Sequence, residues 1–195
     1  MVQSSEISLA PVGNGGAFVD ELQILQMLEG GDRRSVGRAA EVAELVRADP
    51  ALVGALFAGM EGDDPLVRMR AADALEKASN SRPELLAGYA ERLLNLMATQ
   101  PQQEVAWHLA QLAGRLELTE AQQARLFELL ESYLSHKSRI VRVHALEALT
   151  GLAERNEKWL PLVWKLVNAG LESESPAVRA RSRKLVRRLS AIFRL

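Results

Sequence analysis

Two stretches of this 195-residue chain decide its fold: residues 67–75 read VRMRAADAL, and residues 141–149 read VRVHALEAL. Both place apolar residues at offsets 0, 4, 7 and 8 from the leading valine, which puts them on one face of an α-helix. Val105 begins a third stretch with the same apolar offsets, Val178 begins a looser copy, and Val36 is a candidate start for the series. The successive valines are then 31, 38, 36 and 37 residues apart, which is the period of a repeat built from one helix pair.

Apolar residues at helical spacing continue on both sides of these stretches. They predict about ten helices, at 18–29, 33–47, 50–60, 65–79, 83–98, 102–116, 120–134, 138–154, 159–171 and 176–192. Asp49-Pro50, Asp64-Pro65 and Ser175-Pro176 each place a capping oxygen before a proline in the first helical turn. Ser81 with Glu84 and Thr119 with Gln122 have the spacing of a capping box. Because the loops are short, we expect five antiparallel helix pairs.

The composition agrees with an all-α fold. Leu and Ala supply 32 and 28 residues and Thr only three, so a β-sandwich or barrel is excluded. With no cysteine, the chain has no disulfide or thiolate chemistry, which fits a reducing, cytoplasmic location. No apolar run approaches the length of a membrane span. Residues 1–17, rich in Gly and Ser, are expected to be a flexible tail, and residues 18–195 a single repeat domain.

The stretch from Asp64 to Leu75 resembles the second helix of a HEAT repeat, including the bilin-lyase-like variety, and the likeness extends over about residues 18–192. The resemblance implies an α-solenoid, an α-α superhelix of stacked helix pairs. It also implies that Arg68, Arg142 and Arg179 join a ladder with loop carboxylates, with Asp64 as a partner for Arg68. Serines replace that aspartate at 138 and 175, and Ala106 replaces the arginine in the third repeat.

The sequence offers no catalytic constellation. Its three histidines form no metal-binding pair of the H-x-x-x-H kind, and Glu104 with His108 is interpreted as an ordinary surface pair. Gly13-Asn14-Gly15-Gly16 lacks the Lys and Ser/Thr of a phosphate loop. We therefore expect a non-catalytic scaffold without cofactor or metal, which binds an unidentified protein partner.

The resemblance to HEAT repeats implies that the binding surface is a concave groove lined by the second helices. Offsets 2, 3 and 6 from each valine point away from the core, and the resulting candidate residues are Met69, Arg70, Trp107, His108, Gln111, Val143, His144 and Arg181. Trp107 beside Met69 and Val143 has the composition of an interface hot spot. The alternative is that Trp107 packs into the core.

The charge is unevenly distributed. Residues 1–135 have a net formal charge of −9 and residues 136–195 one of +8. The last helix contributes a cluster of candidate anion-binding residues, Arg183, Lys184, Arg187 and Arg188. They either keep a terminal repeat soluble or bind an anionic partner, whether acidic protein, nucleic acid or a membrane surface. Nucleic acid is the weaker alternative, because HEAT-like DNA glycosylases are basic along the whole concave face. A further alternative is that the last helix mediates self-association, and the sequence does not distinguish a monomer from an oligomer.

Overall fold

A computed structural model describes residues 20–32 and 34–193, so the expected tail at 1–17 lies outside the described part of the chain. Every regular element within the described residues is helical. The ten α-helices are α1 (Glu21–Leu28), α2 (Ala39–Ala48), α3 (Val53–Glu61), α4 (Pro65–Ser81), α5 (Ala90–Thr99), α6 (Gln103–Ala113), α7 (Glu120–Tyr133), α8 (Arg139–Arg155), α9 (Leu160–Ala169) and α10 (Pro176–Phe193). The predicted all-α class, with about ten helices, is confirmed.

The helices form two layers of an α-solenoid-like repeat fold. The even-numbered helices stack in chain order, α2 on α4, α4 on α6, α6 on α8 and α8 on α10, and are called the B helices below. The odd-numbered A helices pack against the B helices of their own pairs. Between the layers lies one continuous apolar core, to which α4, α6 and α8 each contribute their offset 0, 4 and 7 residues. In α4 these are Val67, Ala71 and Ala74, all of which are buried.

Several of the helix caps predicted from the sequence are present in the structure. The Asp64 carboxylate accepts a hydrogen bond of 2.7 Å from the backbone N–H of Leu66, where α4 begins. Thr119 and Gln122 form the complete capping box of α7. Asp49 caps a 3-10 turn at Pro50–Leu52 that leads into α3. The Ser175 hydroxyl, by contrast, has no hydrogen-bond partner although the backbone of Ser175 begins α10.

Two predicted helix starts and one predicted capping box are wrong. The helix predicted at 83–98 begins only at Ala90, because Gly88 has a φ of +81° and interrupts it after a short 3-10 turn. Ser81 ends α4, so the predicted capping box with Glu84 does not form; Glu84 instead pairs with Arg82. In the first repeat Val36 is exposed and α2 begins at Ala39.

Candidate functional site

The offset 2 and 3 residues form a surface along the stacked B helices, called the B face below. Its exposure increases along the chain: Met69 retains 9% of its accessible surface, Trp107 and Val143 are half-buried, and Ala180 is exposed. The offset 3 residues show the same trend, from fully enclosed Arg70 to half-exposed Arg181. The B face is therefore accessible mainly on α6, α8 and α10.

Arg70 does not line a groove, contrary to the prediction from the sequence. Its side chain is only 2% exposed and lies beneath the loop that joins α1 to α2. Its guanidinium donates hydrogen bonds to five backbone carbonyls of that loop and of the end of α1, those of Leu28, Glu29, Gly30, Asp32 and Ser35. The bonds to Leu28 and Gly30 measure 2.8 and 2.6 Å. Arg70 thus fixes the first repeat and has no surface to offer a partner.

Trp107 and His108 occupy the middle of the B face. Their rings meet edge to face with centroids 5.4 Å apart. The His108 side chain is 12% exposed, and its Nε2 lies 3.9 Å from a carboxylate oxygen of Asp73. Burial lowers the pKa of His108 to about 4, against the opposing attraction of Asp73. His108 is therefore neutral at physiological pH, so this predicted groove residue brings no positive charge to the B face.

A charged network covers the adjoining part of the B face between α8 and α10. Glu147 pairs with both Arg181 and Arg188, and Arg188 also binds Glu154. The network borders a cleft of about 220 Å³ that His144 and Gln111 also line. Burial and the neighbouring Arg181 lower the pKa of His144. The structure thus brings the predicted residues Gln111 and His144 to one cleft, and Arg181 adjoins it through its ion pair with Glu147.

The four residues of the predicted anion-binding cluster differ in whether their charge is paired. Arg188 is neutralised by its two carboxylates, which corrects its inclusion in the cluster. Arg183, Lys184 and Arg187 are exposed and form no ion pair with another described residue. Arg183 occupies the position that Ala72, Ala110 and Leu146 hold in earlier B helices, where the side chain is buried. The outer side of α10 is therefore polar where earlier repeats are apolar.

Two arginines of the expected ladder, Arg68 and Arg179, bind loop carbonyls rather than loop carboxylates. Arg68 donates to the carbonyls of Gly62 and Asp63, at 2.9 and 2.8 Å, and its Nε binds the side chain of Gln102. Arg179 binds its own loop in the same way. Arg142 makes no hydrogen bond to any described residue, and its Nε is buried without a partner. The ladder with Asp64 is therefore not formed.

The described residues contain no cluster of three or more His, Asp or Glu side chains that could hold a metal ion. None of their helices combines the length and apolar character needed to cross a membrane.

Comparisons with known proteins support the fold alone. No family model matches the chain, and no curated protein is significantly similar to it. Among solved structures, the chain is similar to an engineered protein from the Northeast Structural Genomics Consortium, with a TM-score of 0.62 and 18% sequence identity. The match covers 88% of this chain and 79% of the engineered one. At this identity the likeness extends to the helical architecture and carries no information about binding or catalysis.

Proposed function

We propose that this chain is a HEAT-like repeat protein that acts as a non-catalytic scaffold and binds a protein partner along the B face. The observation that carries the proposal is the partly exposed Trp107, which packs against the core on one side and lies in line with Val143 and the exposed Ala180 on successive B helices. A face that only met solvent would be polar at these positions. Aromatic side chains in such rows commonly anchor interfaces. The cysteine-free sequence fits a partner in the cytoplasm.

The polar residues beside this row favour a partner that is itself amphipathic. Ile140, 40% exposed, precedes Val143 on α8, whereas His144 and Glu147 lie further along the same helix. The accessible part of the B face therefore has an apolar row beside an ion-paired cleft. An amphipathic helix presents the same two surfaces side by side, so it is the segment that fits best.

Site-specific photo-crosslinking in cell extract tests this proposal. A photoreactive residue replaces Ala180 on the B face or, as the control, Glu131, which is exposed on the A helix α7. We expect a discrete crosslinked product from position 180 only, and its loss when Trp107→Ala is added. Identical products from both positions, or a product that persists in the Trp107→Ala background, would contradict the proposal.

A second candidate function is recognition of an anionic partner by Arg183, Lys184 and Arg187. These exposed side chains have no ion-pair partner among the described residues, so their charge is available. Replacing all three with Glu should abolish binding to duplex DNA or to anionic vesicles in low salt. The charge-neutral vesicle serves as the control. Absence of binding by the unmodified protein in low salt would remove this candidate.

A further inference from the structure

Three arginines at the same position of the repeat differ in how their donors are satisfied. Arg68 and Arg179 each donate to two carbonyls of the loop that precedes their own helix. Arg142 has no such bond within the described chain. The difference extends to the next repeat, where Gln102 accepts from Arg68 while the equivalent Ser175 has a buried, unpartnered hydroxyl. Two buried polar atoms, on residues that line the same surface cleft, are thus left without a hydrogen-bond partner.

Unpartnered buried donors are costly, and they commonly indicate a water molecule or an ion that completes the site. Arg142 and Ser175 line a shallow cleft of about 560 Å³ that is wide open to solvent. One water molecule occupies only about 30 Å³ in the liquid, so the cleft has room for more than a bridging water. The equivalent space beside Arg68 is closed by Gln102, whose side chain also binds the carbonyl of Pro65.

The charge of the cleft determines what it attracts. Lys137 and Arg139 line it together with Arg142, and Glu174 is the single acidic lining residue. The lining side chains therefore have a net formal charge of +2. None of the three cations forms an ion pair with another described residue. Lys137 and Arg139 are exposed and can turn toward an entering ligand.

We propose that this cleft, between the first turns of α8 and α10, binds a doubly charged tetrahedral oxyanion of the phosphate class. Arg142 supplies the charge-assisted donor from the wall of the cleft, Ser175 donates its hydroxyl proton, and Lys137 and Arg139 neutralise the remaining charge. Because the Arg142 Nε is buried, the guanidinium has to rotate to bring its donors onto the anion. The source of the anion is either free phosphate or the phosphoserine side chain of another protein.

Amide NMR spectra of the complete chain test the site. We expect inorganic phosphate to shift the amide signals around Ser138 and Ser175, while those around Asp64 and Gln102 stay in place. Arg142→Gln should weaken phosphate binding about tenfold or more, because it removes a charge-assisted hydrogen bond. Arg68→Gln is the matched control, since it changes the same repeat position and should leave phosphate affinity unaltered. A phosphoserine peptide and its unphosphorylated form distinguish the two sources of the anion.

Three results would overturn the proposal. The first is the absence of saturable shifts at α8 and α10 with either phosphate or the phosphopeptide, which would leave water as the occupant. The second is unchanged affinity in Arg142→Gln. The third is a fall in Tm in phosphate-free buffer as large as that of Arg68→Gln, which would show that Arg142 holds its own loop. If Arg142→Gln does not fold, the exposed pair Lys137→Ser and Arg139→Ser should lower the affinity instead.

Discussion

Arg70 allows the sharpest test of how this solenoid is held together. Its guanidinium is enclosed and has no carboxylate partner; its charge is stabilised by five backbone carbonyls at 2.6 to 3.3 Å. Among these is Leu28, the last residue of α1, where the helix dipole favours a cation. Arg70→Ala removes all five bonds and leaves buried carbonyls without donors.

The expected cost follows from these contacts. A hydrogen bond to a charged group contributes about 1.5–3 kcal/mol, and the five are not additive because they share one charge. We expect Arg70→Ala to lower the free energy of unfolding by about 3 kcal/mol or more, a large part of the stability of an ordinary domain. The stability of Arg70→Lys should lie between that of the unmodified protein and that of Arg70→Ala, since an ammonium has three donors instead of five.

Urea denaturation followed by circular dichroism measures this loss, and hydrogen exchange locates it in residues 29–38. Arg183→Ala is the control, because it removes an exposed arginine without an ion pair and should change stability by less than about 0.5 kcal/mol. Gly37 provides a second check: its φ is +52°, and an added Cβ would lie 2.8 Å from Cζ of Arg70. Gly37→Ala should therefore cost less in the Arg70→Ala background. A loss below about 1 kcal/mol in Arg70→Ala would refute the argument.

Three further predictions concern other parts of the molecule. His108 is neutral when folded and its pKa is about 4, so the unfolded chain, titrating near pH 6.5, takes up the proton first. The contribution of His108 to stability is therefore complete above pH 6.5 and falls by about 3 kcal/mol toward pH 4. His108→Gln should remove this part of the difference between urea curves at the two pH values. Trp107→Ala should lower stability by about 1–3 kcal/mol, less than a fully buried tryptophan would, in the same denaturation assay. A Cβ at Gly170 would lie 2.2 Å from the buried Ser182 hydroxyl, so Gly170→Ala should lower the Tm, and adding Ser182→Ala should restore most of it; no recovery in the double variant would contradict the steric explanation.

Periodicity made the layers and much of the core predictable from the sequence. The offsets that place Val141 and Ala145 in the core describe contacts within a helix pair, which recur in the repeats of α4 and α6. The cap at Asp64 was predictable for a similar reason, since it depends on residues two or three positions away. The start of α5 was missed because it depends on the positive φ of Gly88, a feature of one loop only.

The candidate site was less predictable because its side chains depend on contacts between repeats. The periodicity places Arg70 and Arg181 at the same offset, yet one is enclosed by a loop and the other pairs with Glu147 on the surface. The enclosing loop comes from residues about one repeat earlier, and its conformation is not periodic. Gly30, Gly31 and Gly37 were the available signal, since glycines with positive φ let a loop turn its carbonyls inward.

The range of the contacts also has a consequence for how the chain folds. Among the described residues, the hydrogen bond of a side chain that spans the greatest sequence distance joins Arg70 to Leu28, 42 positions apart. No side-chain bond therefore reaches much beyond the neighbouring repeat, and little loop-closure entropy opposes its formation. A topology of this kind folds rapidly and can grow from any adjacent pair of repeats. During synthesis, each helix pair can dock as soon as the next has left the ribosome, without waiting for the rest of the chain.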